Sequence, residues 1–350
     1  AGQNPGQTVA AINQMFADEA YLETSAAMLI STTQFDNIKA RIAALRSGTG
    51  GDHFGGLAFT SPNGSLPVGS LGMSALAATG KDKGEAGAGF DRWGFFVSGT
   101  FSHGSVDPRQ SLPGYGFNTN GITGGIDYRF NDHFILGVSA GYAKYSSALD
   151  AGIGRMDTSG WTLSAYSTFF QKDNWYLDGV LSWGKNSYDL SRKITYTLTG
   201  PGGTTTVSQI ADGNDGGNTF AAAFTFGRDF NKGPWSFGPY FRGTWTRVSF
   251  DGYQEVMQAG PGSGLGLAVQ THPLTSTATV LGAKLNYASS QSWGVFMPHA
   301  EVEWQHEFKD NPDTVTAYFL QDPTKTPINV NGFPVDNNFF RLGLGASFVF

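Results

Sequence analysis

From Trp93 to Phe350 apolar and polar residues alternate with a period of two, as along a strand whose side chains point to opposite faces in turn. In Trp235–Thr246 the odd positions read Trp235, Phe237, Pro239, Phe241, Gly243 and Trp245, and the even ones Ser236, Gly238, Tyr240, Arg242, Thr244 and Thr246. The pattern predicts strands at about 93–103, 116–130, 134–145, 157–171, 175–188, 217–230, 235–251, 273–288, 293–308 and 337–350. Short turns at Asn131-Asp132-His133, Lys172-Asp173-Asn174, Asn231 to Pro234 and Ser289 to Ser292 alternate with long loops at 104–115, 146–156, 189–216, 252–272 and 309–336. A soluble sandwich would bury its apolar face against a second sheet. Here the greasy faces are aromatic-rich and recur on nearly every strand, which points to an all-β fold, a transmembrane antiparallel up-and-down β-barrel with lipid outside and water or a plug within. On that reading the chain lies in a bacterial outer membrane, short turns periplasmic and long loops extracellular. Trp93, Trp175, Trp235 and Trp293 each open a strand beside a short turn or the preceding connector, where an aromatic girdle belongs.

The N-terminal part follows another rhythm. Leu22, Ala26 and Leu29, then Ile38, Ile42 and Leu45, recur at helical spacing, which predicts a helix over about Thr8–Arg46 with a break near Ser31–Thr33. Asn4, Pro5 and Gln7 read as a cap, a first-turn proline and a capping-box partner, and Gly48 as the stop. Residues 47–92 are rich in Gly, Ser and Ala and are expected to form a loose connector, with a short helix near Ser70–Ala78. The chain thus divides into a helical segment at 1–46, a connector at 47–92 and a barrel at 93–350. Ala1–Thr8 has neither a basic nor an apolar leader region, so the chain is expected to be the C-terminal part of something longer.

Composition narrows the picture. The 49 glycines and 14% aromatic residues among 350 lean away from a helical enzyme. A mean hydropathy of -0.21 is no objection to a barrel, which buries polar residues inside itself. The net charge of -6 and the lack of a Lys/Arg-dense face argue against nucleic-acid binding. The absence of cysteine fits passage through an oxidising periplasm.

With a change of register near Pro298, His299, Glu301, Glu303, Gln305 and Glu307 share one face and point inward. Inward positions elsewhere supply Asp127, Arg129, Asp178, Arg242, Lys284 and Arg341, a network of both signs. It either keeps the interior hydrated or grips a luminal helix or passing chain. Gly137-Val138-Ser139-Ala140-Gly141 matches the hydrolase pattern G-x-S-x-G, but a nucleophile elbow needs a strand-to-helix turn and this one lies inside a strand. His53, His103, His133, His272, His299 and His306 lack metal-ligand spacing, and no phosphate-cradling loop opens a helix. No catalytic, cofactor or metal residue is therefore expected.

Several stretches together carry a family likeness: Trp93–Gly99, Gly121–Phe130, Gly137–Tyr142, Gly238-Pro239-Tyr240, Pro298–Glu301, Trp304–Phe308 and Phe340–Gly345, with the helix end Asn37–Arg46. In these the chain resembles the autotransporter β-domain family, the translocator of type V secretion. The resemblance implies a 12-stranded barrel that carries or anchors an N-terminal passenger at the cell surface, keeps an α-helical linker in its pore and inserts as a monomer with the barrel-assembly machinery. About ten strands are visible here, so the last hairpin is expected to be missing. An extra hairpin at 313–321 and 326–333 competes with that, although Pro323, Pro327 and Pro334 suit transmembrane strands poorly. The rival functions are a passive porin, which needs no long helix, and a barrel hydrolase, which needs Ser, His and an acid together at one rim.

Overall fold

The computed structural model describes residues 18–46, 53–61, 64–68, 92–108, 113–171, 174–200, 203–291, 294–309, 314–331 and 337–349. Among the described residues one helix, α1 (Asp18–Arg46), precedes the strands. One sheet follows among the described residues, with twelve longer strands and three short ones at Phe230–Lys232, Val256–Met257 and Ser289–Gln291; the longer ones are β1 (His53–Ser61), β2 (Gly64–Val68), β3 (Trp93–Val106), β4 (Tyr115–Asn131), β5 (Phe134–Leu149) and β6 (Gly154–Phe170), then β7 (Trp175–Gly200), β8 (Gly203–Arg228), β9 (Trp235–Phe250), β10 (His272–Tyr287), β11 (Gly294–Glu307) and β12 (Asn338–Val349). From β3 to β12 every neighbour in sequence is an antiparallel neighbour in space. This is the cheapest way to pair strands joined by short turns. Gly233, with φ 59°, supplies the left-handed residue that the turn into β9 requires.

The alternation sorts the two faces. Phe95, Leu163, Leu181, Phe224, Leu281 and Leu342 point outward, Leu181 with 65% of its surface uncovered, while Thr100, Thr123, Asp127, Thr168, Asp178 and Arg242 are buried inside. Two aromatic belts bound the outward apolar band. Trp93 packs on Tyr128, Trp175 on Phe226 and Trp235 on Tyr287, with ring centroids 4.9, 5.1 and 4.6 Å apart. Trp161 and Trp183, 4.8 Å apart, mark the other belt. Trp235 and Trp245 lie ten residues apart on β9, and at about 3.3 Å per residue with a tilt of about 40° that is roughly 25 Å of height, the thickness of a barrel's apolar band.

Several expectations need correction. The helix runs unbroken through Ser31–Thr33, because Thr33 is buried and the next residue, Gln34, is engaged on the barrel wall, so tertiary contacts outweigh weak local propensity. The stretch expected as a loose connector carries β1 and β2. Their antiparallel pairing runs from Ser61↔Gly64 to Leu57↔Val68. β1 runs parallel to β3, the one departure from the up-and-down pattern among the described strands, and β2 lies beside β12. The loop expected at 189–216 is the continuation of β7 and β8, paired from Trp175↔Arg228 to Gly200↔Gly203. Its β-branched residues, such as Ile194, Thr197 and Val207, suit a strand and carry the hairpin far past the Trp183 belt. The ladder of β11 with β12 is continuous from Val295↔Val349 to His306↔Asn338, so no register change occurs at Pro298, and Glu301 and Glu303 face inward without one. Residues 314–319 and 328–331 do pair, but in a separate four-stranded sheet with 253–254 and 267–269. That small sheet is built from the two loops after β9 and β11. Trp293 and the expected features at Asn4–Gln7, Gly48 and Ser70–Ala78 lie outside the described residues.

Candidate functional site: the helix-filled lumen

The inner wall is polar because every second residue of each strand faces it, and α1 lies against β3 to β8 within it. The helix meets this wall through side chains spaced three or four apart. Asn37 donates to Thr123 at 2.8 Å and accepts from Thr100 at 2.6 Å and Ser98 at 3.2 Å, while Thr123 donates to Gln34 at 2.6 Å. One turn on, Arg41 makes a two-pronged pair with Asp127 at 2.8 and 3.1 Å, both side chains 3% exposed. Tyr166 donates to the same carboxylate at 2.9 Å, and Phe96 stacks under the guanidinium at 5.4 Å. At the helix end Arg46 pairs with Asp178, which also accepts from Thr168 at 2.7 Å, and lies 3.7 Å over the Tyr176 ring. A cation at the C-terminus of a helix is further favoured by the helix dipole.

Wall glycines make room for these contacts. A Cβ at Gly141 would lie 1.8 Å from the Gln34 amide oxygen, and one at Gly94 would lie 2.4 Å from Arg41. Gly137 admits the Tyr166 ring in the same way. The G-x-S-x-G match thus lies wholly within β5, its two glycines spent on packing. Buried polar pairs inside this wall are strong because water cannot compete for them.

The opposite wall holds a second cluster. Glu303 pairs with Arg242 at 2.8 Å and Arg341 at 3.6 Å, Lys284 lies 3.6 Å from Glu301, and Tyr240 donates to Glu301 at 2.6 Å. Lys39 of the helix interacts electrostatically with both glutamates. Between this wall and the helix is a cavity of about 260 Å³ edged by Met28, Phe35, Asp36, Thr246, Gln305 and Arg341. The helix is therefore off-centre. Of the residues singled out from the sequence, Asp127 and Asp178 meet the helix, and Arg242, Lys284, Glu301, Glu303 and Arg341 come together in this cluster. Arg129 stands apart over Phe170 at 5.9 Å, and Glu307 instead receives Ser276 and the Thr277 and Lys309 amides at the far end of β11. Trp93, Trp175 and Trp235 are on the outer surface at one rim.

Sequence reasoning missed the helix side of this site. The available signal was the stripe Gln34, Asn37 and Arg41, which places polar groups on a face that also carries Ile38 and Ile42. It also missed the contacts beyond the second aromatic belt. There Glu23 is fully buried beside Asp215, and both titrate high: burial and the neighbouring Asp215 charge raise Glu23, and burial then Asp251 raise Asp215 to about 6. Leu22, Ala26, Ala27 and Ile30 share one apolar core with Tyr188, Phe250, Leu267, Val269 and Val315, so the small loop sheet and the outer half of α1 are packed as a unit. Arg192 and Glu255, each 3% exposed and 2.9 Å apart, pin that sheet to β7.

The family model for the autotransporter beta-domain matches residues 95–350. The chain is 31% identical over 217 residues to an uncharacterized protein in the trpE-trpG intergenic region of Pseudomonas putida, covering 60% of this chain and 33% of that protein. It is 26% identical over 265 residues to the esterase EstA of Pseudomonas aeruginosa, covering 73% of this chain and 38% of EstA. The chain thus spans well under half the length of these curated relatives. The translocator domain of the autotransporter NalP from Neisseria meningitidis shares the fold, with a TM-score of 0.55 at 13% identity, covering 95% of this chain and 99% of that one.

Proposed function

Since the chain belongs to the autotransporter beta-domain family and is therefore an outer-membrane translocator domain, we propose that α1 is the trailing end of an N-terminal passenger, left in the barrel as its plug. The observation that carries this reading is the pairing of Arg41 with Asp127 and of Arg46 with Asp178, helix cations matched to luminal carboxylates. At about 1.5 Å per residue the 29-residue helix is roughly 43 Å long, enough to run through a 30 Å hydrocarbon layer. No described helix is long and apolar enough to cross a membrane in contact with lipid.

Orientation follows from the same geometry. Arg46 is at the rim of short turns, near Tyr176 and Asp178, and Glu23 is at the rim of long loops. With short turns periplasmic and long loops extracellular, chain upstream of α1 emerges at the cell surface. The passenger moves outward through the barrel after the barrel-assembly machinery inserts it, and its folding outside biases the motion without a nucleotide. The domain acts as a monomer, one chain supplying every described strand of the sheet. A passive porin has no use for an interior ion-paired to a helix, and Ser139 in the wall of β5 lacks the turn that a hydrolase nucleophile needs.

Single-channel conductance of the chain with and without residues 1–46 tests the plug. Removal is expected to raise conductance severalfold, and equal conductance in a correctly folded barrel would refute it.

A further inference from the structure

We infer that the outer wall between β7 and β11 carries a phospholipid site, with Arg228 holding the headgroup phosphate and an apolar groove holding an acyl chain. Outward charges among the described residues stand at or beyond the two belts: Arg228 is opposite Trp175 and Lys232 opposite Trp235, as Lys185 is opposite Trp161 and Arg247 opposite Phe220 at the other belt. A cation at the level of an aromatic girdle meets the headgroup region, where an anionic phosphate can neutralise it.

The local structure explains why the groove is there. In the ladder of β8 with β9, Tyr240 pairs with Gly227 and Phe237 with Phe230, which sets Arg228 opposite Pro239. Proline has no N–H to give the ladder and presents only a small ring outward. Its neighbour on β10 is Ala283, so two small residues stand between Phe237 and Leu285 on one side and Phe241 and Leu281 on the other. The resulting depression has a volume of about 640 Å³ and continues to Val302 and Phe340, with Arg228 and Trp175 at its rim.

The arginine is arranged to receive an anion. Its guanidinium is 5.0 Å from the Trp175 ring and 4.8 Å from the Phe230 ring, which orient it without neutralising it. Its Nε is buried and has no hydrogen-bond partner among the described residues, and no carboxylate pairs with it there. The exposed Lys232 follows on the same outward side, opposite Trp235. A planar donor at the level of an aromatic girdle, beside an acyl-sized groove, matches a glycerophospholipid: phosphate at the interface, chain in the hydrocarbon. A second outer depression of about 800 Å³, floored by Gly124, Ala140, Ala165 and Ala222, has no cation on its lining and is the internal control for chain contact alone.

The site rests on the reading of this surface as lipid-facing, and the test separates the two. The full chain is extracted in detergent and examined by native mass spectrometry with phosphatidylglycerol or with diacylglycerol of the same chains. One phosphatidylglycerol per chain is expected to survive activation that strips diacylglycerol. R228Q is expected to hold roughly tenfold less, the worth of one charge-assisted contact, and R228K an intermediate amount. A heat-dependent gel shift confirms that each variant is folded. Equal retention by R228Q and the unaltered chain, or equal retention of the two lipids, overturns the site while leaving the barrel intact. A chain that stays monodisperse without detergent overturns the lipid-facing reading itself.

Discussion

Replacing Arg41 by methionine should loosen the plug without unfolding the barrel. The substitution keeps most of the side-chain volume against Phe96 but leaves Asp127 buried at 3% exposure with no cation. Removing one partner of a buried pair typically costs about 3–5 kcal/mol, because the remaining charge is left desolvated. Tyr166 still donates to that carboxylate at 2.9 Å, so the low end of the range applies. At about 1.4 kcal/mol per factor of ten, 3 kcal/mol raises the helix-out population roughly a hundredfold. Planar-bilayer recording reads this as the fraction of time in the high-conductance state, with the unboiled gel shift verifying the fold. A matched variant, R41M with Asp127→Asn, removes the stranded charge and should recover most of the closed time. If R41M stays within about threefold of the unaltered chain, against the roughly hundredfold expected from the buried-pair penalty, the ion pair does not hold the helix.

Gly141→Leu should act on the same equilibrium by volume, since a Cβ there already reaches 1.8 Å from Gln34; its open fraction should rise like that of R41M, while Gly141→Ala, which need displace only the Gln34 amide and its bond from Thr123, should raise it less. Glu255→Ala strands Arg192 and should release the loop sheet, seen as faster hydrogen exchange in 253–269 and 314–331 with the ladder of β3 to β6 still protected. The outer end of α1 should be held more tightly in acid. Glu23 and Asp215 have raised native pKa values, so the folded form binds more protons than the unfolded one, and stability falls as pH rises from about the ordinary carboxylate value near 4 through about 6. Hydrogen exchange of residues 22–30 should accordingly be slower at pH 5 than at pH 8 after correction for intrinsic rate, and Glu23→Gln should reduce the difference to the share of Asp215, which burial and Asp251 still raise; no pH effect, or an equal one in Glu23→Gln, would disprove the role of Glu23.

The period of two was enough to read ten strands, their faces and one of the two aromatic belts, because lipid on one side and polar groups on the other impose a rule on every second residue. Trp175 and Trp235 stand at their strand starts for that reason alone. The extension of β7 and β8 was also visible in Ile194, Thr197 and Val207 but was hidden by reading a polar stretch as a loop, since beyond the membrane both faces of a hairpin can be wet. What no local pattern could supply was partnership. Arg41 and Asp127 are 86 residues apart, Arg192 and Glu255 63 apart, and Tyr240 and Glu301 61 apart. Which buried cation meets which carboxylate depends on the register of strands around the sheet and on where the helix leans. So the sequence by itself determined a sheet with a greasy outside and a wet inside, through the alternation that lipid enforces residue by residue. Only the tertiary structure decided what fills that interior and which charges hold it, because a buried ion pair is set by distance in space and leaves no period along the chain.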